Sequence, residues 1–102
     1  MTAQLDLFEA LAGKVAGMAL AELHSRPWVD AARAVARRIA LERGTVTADD
    51  VRALLYPMGL VPAHPNAWGP VFRKGFVWTG EWRRSAVVQG HGNLQRVWRV
   101  AA

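Results

Sequence analysis

The sequence predicts a mostly α domain with a small β-hairpin, and three observations lead there. Apolar residues recur at threes and fours through residues 4–55. They change to strict alternation beyond Gly75. Gly, Pro and Thr mark the places where one pattern gives way to the next.

Residues 4–24 read as a first helix, with Leu5, Phe8, Leu11, Val15, Met18 and Leu23 on one flank. Gly13 and Gly17 weaken it by about 1 kcal/mol each relative to Ala, so it breaks into two pieces or owes its helicity to a neighbour. Ser25 is a good cap for a second helix, and Pro27 is tolerated in its first turn. That second helix is expected over 27–43, ending at Gly44, with Trp28, Ala32, Val35, Ala36 and Ile39 buried and Arg33, Arg37 and Arg38 on a solvated face where Asp30 can pair with Arg33 or Arg37. Thr47-Ala48-Asp49-Asp50 has the Thr-x-x-Asp spacing of a capping box, with Asp in place of the usual Glu or Gln. It opens a short helix through Leu55 that buries Val51, Leu54 and Leu55.

Pro57, Gly59, Pro62 and Pro65 turn the chain before a third helix, which is expected to start at Pro65 or Asn66. Wound at 100° per residue, the stretch 64–74 separates into two faces. Trp68, Val71 and Phe72 fall on one side. Asn66, Gly69, Pro70, Arg73 and Lys74 fall on the other. An amide, two cations and no bulky side chain suit close approach to a nucleic acid, because Asn can read adenine and Arg guanine by paired hydrogen bonds. Pro70 is the weak point, since it removes a backbone N–H.

Two strands complete the chain. Phe76, Trp78, Gly80 and Trp82 alternate with Val77, Thr79, Glu81 and Arg83, and Leu94, Arg96, Trp98 and Val100 alternate with Gln95, Val97 and Arg99. Their connection, 84–93, carries Gly90-His91-Gly92-Asn93 and is flanked by Arg83, Arg84 and Arg96, which makes a basic loop. Trp68, Phe72, Trp78 and Trp98 are read as core, while Trp28 and Trp82 are left open between packing and partial exposure where the first helix or the hairpin meets solvent or another chain.

Composition narrows the function. A chain of 102 residues with 52% hydrophobic and 21% charged residues is expected to form one folded unit. Thirteen Lys and Arg, eleven of them Arg, against eight Asp and Glu give a formal charge of +5, which favours a polyanionic partner. The absence of Cys removes disulfides and thiolate metal sites and fits the cytoplasm. No apolar run approaches the ~20 residues of a membrane span, and no basic leader is read at the start, so no membrane role is expected. His24, His64 and His91 are too scattered for a metal site, and no nucleophile–base spacing or phosphate-cradling Gly loop is present. The expectation is a protein without catalytic residues, metal or cofactor.

Three helices followed by a hairpin with a basic tip is the order of a winged helix, here with an amino-terminal helical extension over 1–25 and the winged-helix unit over 26–102. The segments Val46-Thr47-Ala48-Asp49-Asp50-Val51-Arg52, His64-Pro65-Asn66-Ala67-Trp68-Gly69, Gly90-His91-Gly92 and Arg96-Val97-Trp98-Arg99 resemble a family of small winged-helix proteins encoded by bacteriophages and prophages. The resemblance spans roughly residues 27–100, with Pro70 standing where relatives tend to have Ala. It implies DNA binding, and with the winged-helix order the expectation is a protein that binds double-stranded DNA without chemistry, serving replication, recombination or regulation inside a bacterial cell.

On that reading Asn66 and Arg73 face base edges, and Lys74, Arg83, Arg84 and His91 face phosphates. The alternative is a winged helix used as a protein-interaction module, a phage adaptor or an inhibitor of a host nucleic-acid complex. A homodimer through the amino-terminal helix is open on either reading.

Overall fold

The computed structural model describes residues 20–86 and 94–102. The helix expected over 4–24 lies outside the described residues except for its last turns, as do any dimer built on it and the loop residue His91. Those last turns form α1, Leu20–Ser25. Leu23 of α1 is buried in the core, and the Ser25 hydroxyl donates back to the Glu22 carbonyl at 2.8 Å. Ser25 thus closes α1 and does not cap the next helix, whose cap position is Pro27 with no side-chain bond.

Helix α2, Trp28–Arg43, buries Ala31, Ala32, Val35, Ala36, Ile39 and Ala40. Four of these six are Ala, so neighbouring elements pack close to its backbone. It ends at Gly44, whose φ of 94° lies in the region that favours glycine and whose N–H reaches the Ala40 carbonyl at 2.7 Å. Helix α3, Ala48–Leu55, begins with both halves of the capping box in place. The Asp50 N–H donates to Thr47 Oγ1 at 3.2 Å, and the Thr47 N–H donates to Asp50 Oδ2 at 2.9 Å. Val51, Leu54 and Leu55 are buried, as the spacing predicts.

The third segment departs from the expected α-helix. Pro65–Trp68 is a 3₁₀ helix, and the chain continues to Gly75 as a run of turns and bends. Its bonds all span three residues: Ala67 to His64, Gly69 to Asn66, Val71 to Trp68 and Arg73 to Pro70. Pro70 has no N–H to offer the Asn66 carbonyl, and Gly69 donates there instead. The division of faces survives the tighter winding. Val71 and Phe72 are buried and Trp68 is half-buried, while Asn66, Gly69, Arg73 and Lys74 are exposed. His64 Nδ1 accepts from the Asn66 N–H at 3.2 Å and so supports the start of the segment.

Strands β1, Phe76–Arg84, and β2, Leu94–Val100, pair antiparallel. Strict alternation fails between Trp78↔Trp98 and Trp82↔Arg96, where Thr79, Gly80 and Glu81 stand opposite Val97 alone. Gly80 takes φ 90° at this bulge. Thr79 Oγ1 donates to the Val97 carbonyl at 2.9 Å and accepts from the Glu81 N–H at 3.1 Å, while Trp78 Nε1 donates to the Glu81 carbonyl at 3.0 Å. On the other edge of β2, Val46 and Trp98 exchange two backbone bonds of 2.9 Å.

The core lies between α2, α3, the third segment and one face of the hairpin. The Phe72 ring stacks on Trp98 at 5.1 Å and meets Phe76 edge-on at 5.3 Å, which joins the third segment to both strands. Burying a side chain such as Val71 or Phe72 contributes roughly 1.5–3 kcal/mol. Trp28 meets Trp68 edge-on at 4.9 Å and donates through Nε1 to the Leu60 carbonyl at 3.0 Å. Among the described residues, no helix is long and apolar enough to cross a membrane.

Candidate nucleic-acid interface

Arg33 fixes the position of the third segment. The sequence assigns Arg33 to a solvated face, but its Nη2 donates to the Pro70 carbonyl at 2.7 Å and its Nε to the Val71 carbonyl at 3.1 Å. A segment wound in three-residue turns has few internal bonds, so these two from α2 determine how it sits. Asp30 stands 3.5 Å from the same guanidinium, the pairing that the helical spacing predicts.

The carboxylate of Asp49, in the first turn of α3, fixes the base of the hairpin. It accepts from Ser85 Oγ at 2.9 Å, from the Ala86 N–H at 2.7 Å and from Arg52 Nη1 at 2.6 Å. The Asp49 N–H donates to Gln95 Oε1 at 3.1 Å. A carboxylate at a helix amino terminus is favoured by the helix dipole, and here it also secures the end of β1.

Between these two anchored elements runs a groove of about 500 Å³. Trp68, Gly69, Phe72 and Arg73 form one wall, and Trp82, Leu94, Arg96 and Trp98 form the other. Gly69 leaves space for the Arg73 side chain, whose Nη2 would lie 3.8 Å from a Cβ placed at that glycine. The lining includes two guanidinium groups and no carboxylate. A second depression of about 480 Å³ lies across Gln95, which lines both. It contains Arg43, Arg52, Arg83 and Arg84, but also Asp49 and Asp50.

The six residues expected to contact DNA therefore do not form one cluster. Arg73 lies in the groove, and Arg83 and Arg84 lie in the second depression, where Arg83 approaches Glu81 at 3.6 Å. Asn66 and Lys74 are exposed on the third segment, outside the lining of either, and His91 is outside the described residues. Among the described residues, the side chains of Arg73, Lys74 and Arg84 have no hydrogen-bond or ion-pair partner.

The hairpin groups residues that the sequence does not bring together. Trp78, expected in the core, is 37% exposed, and Trp82 is 50% exposed. The two indoles meet edge-on at 5.2 Å, with the Arg96 guanidinium 4.6 Å from the Trp78 ring centre and 5.4 Å from that of Trp82. A positively charged planar group over two aromatic rings is a favourable arrangement and holds all three side chains in place. The signal for it was Gly80 in the middle of a strand, which marks a bulge.

Among the described residues, no three His, Asp or Glu side chains come together in a group that could hold a metal ion. No protein-family model, curated protein or solved structure matches the chain.

Proposed function

We propose that this chain is a winged-helix protein that binds double-stranded DNA without chemistry, using the third segment and the basic hairpin. The observation that carries the reading is the exposed face of that segment, where Arg73 and Lys74 stand without partners among the described residues beside Asn66 and the bare backbone of Gly69. Cations left unpaired at a protein surface that has room for close approach are what phosphate contact requires. The element order agrees: a helix, a short extended stretch at Val46 bridged to β2, a second helix, a third segment, then a hairpin.

Asn66 and Arg73 contact base edges on this reading, and Lys74, Arg83, Arg84 and His91 contact phosphates. A short 3₁₀ turn enters the major groove less deeply than a full recognition helix, so phosphate contacts carry more of the affinity and base readout less. The protein would then serve phage or prophage replication, recombination or regulation in a bacterial cytoplasm.

Titration of a labelled duplex at several salt concentrations tests the proposal. Affinity falls as salt rises, with a log–log slope near −0.9 per phosphate contacted, and Lys74→Ala reduces that slope by about one. Arg73→Ala costs about 1–3 kcal/mol on a preferred site. Duplex binding that is indifferent to salt, or that survives loss of both side chains, overturns it. Absence of duplex binding would favour the protein-interaction module, for which the exposed Trp82 and Leu94 are the supporting observation.

A further inference from the structure

We propose that the groove between the third segment and the hairpin is a subsite for one unpaired nucleotide, with the base stacked on Trp82 and the phosphate on the guanidinium of Arg73. The inference rests on the nucleic-acid reading above but concerns a different structural state of the nucleic acid. It starts from an imbalance: the groove has two Arg, an exposed indole and no acid, whereas the depression across Gln95 sets its Arg residues against Asp49 and Asp50.

A ligand matched to the groove is therefore anionic at one end and planar and aromatic at the other. A nucleotide meets that description, and a volume of about 500 Å³ falls within the range typical of sites for small ligands. A base inside a duplex cannot offer its face, because that face is already stacked on its neighbours. An unpaired base can, and stacking on an aromatic side chain is largely insensitive to sequence.

Trp82 is prepared for this role before any ligand arrives. Half of its surface is open, yet Trp78 at its edge and Arg96 over its ring hold the side chain in place. Little side-chain freedom remains to be lost on binding. The bulge at Thr79, Gly80 and Glu81 sets the register that pairs Trp82 with Arg96 and Trp78 with Trp98, and it binds the Trp78 indole N–H to the Glu81 carbonyl. Arg73 has no ion-pair partner among the described residues and faces the groove from the opposite wall.

The test measures anisotropy of a labelled oligothymidylate of about ten nucleotides and of a labelled blunt duplex, each with the full chain and its variants. The wild-type protein binds the single strand. Trp82→Ala weakens that binding on the order of tenfold, Trp82→Phe restores most of it, and blunt-duplex affinity changes less than about twofold. Near-UV circular dichroism reports whether each variant is folded.

Equal single-strand affinity of Trp82→Ala and wild type overturns the inference, and so does an equal loss on strand and duplex. Single-strand binding of the expected kind without duplex binding supports the inference and ends the duplex reading. Salt-dependent duplex binding without single-strand binding does the reverse. Failure on both overturns both.

Discussion

Replacing Arg33 with Met should cost more stability than any other single loss of charge on α2. The substitution keeps the aliphatic stem and removes two bonds from a charged donor, at 2.7 Å to the Pro70 carbonyl and 3.1 Å to the Val71 carbonyl. Bonds of this kind contribute about 1.5–3 kcal/mol each. The Arg33 side chain is 26% exposed, so water can partly replace the lost donors, and the total falls to about 2–3 kcal/mol. The ion pair with Asp30, whose side chain is 55% exposed, adds only a few tenths of a kcal/mol.

With a urea m-value of about 1–2 kcal/mol per molar, the unfolding midpoint drops by roughly 1–3 M. Urea unfolding followed by Trp fluorescence measures this directly. Arg37→Met is the matched control, since the Arg37 side chain is exposed on the same helix, has no hydrogen-bond or ion-pair partner among the described residues, and carries the same charge. It should shift stability by no more than about 0.5 kcal/mol. Coincident midpoints for the two variants would refute the claim that Arg33 holds the third segment.

Three further outcomes are expected. Thr47→Ala removes the hydroxyl half of the capping box and costs about 1–2 kcal/mol in the same assay, while Thr47→Ser keeps most of it. Asp49→Ala frees the end of β1: the Ala86 amide, bonded to Asp49 at 2.7 Å, should lose hydrogen-exchange protection while amides within α2 keep theirs. Gly80→Ala meets nothing within 4 Å of the added Cβ, so its cost is the backbone strain at φ 90°, about 1–2 kcal/mol, seen as a lower thermal midpoint.

The elements legible in the sequence are those whose determinants are local. Gly44 stops α2 and Thr47 with Asp50 starts α3 because the bonds involved span three or four residues. The third segment is half legible. Its two faces follow from the spacing of Trp68, Val71 and Phe72, but Pro70 and Gly69 together favour three-residue turns over a continuous α ladder. The role of Arg33 is hidden because periodicity shows that a side chain leaves the apolar stripe, not that carbonyls 37 and 38 positions away lie across from it.

The candidate site depends on still more distant relations. Arg73 stands out as a cation on a polar face, whereas Arg96 belongs to a strand whose alternation the bulge interrupts. Once Thr79, Gly80 and Glu81 are looped opposite Val97, Trp78 and Trp82 are no longer consecutive members of a simple buried row.

That bulge also affects how the protein behaves in a concentrated solution. Among the described residues, β1 pairs only with β2, so its outer edge presents backbone donors and acceptors to any other extended chain. Beside that edge stand the exposed side chains of Val77, Trp78 and Trp82, a composition that invites strand-to-strand aggregation. Three residues set opposite one in the middle, followed by Arg83 and Arg84, leave no long flat run on which a second strand could add. A variant with a smoothed hairpin would be expected to lose solubility before it lost its fold. The same irregularity that sets out the tryptophans interrupts the edge along which a second strand would add.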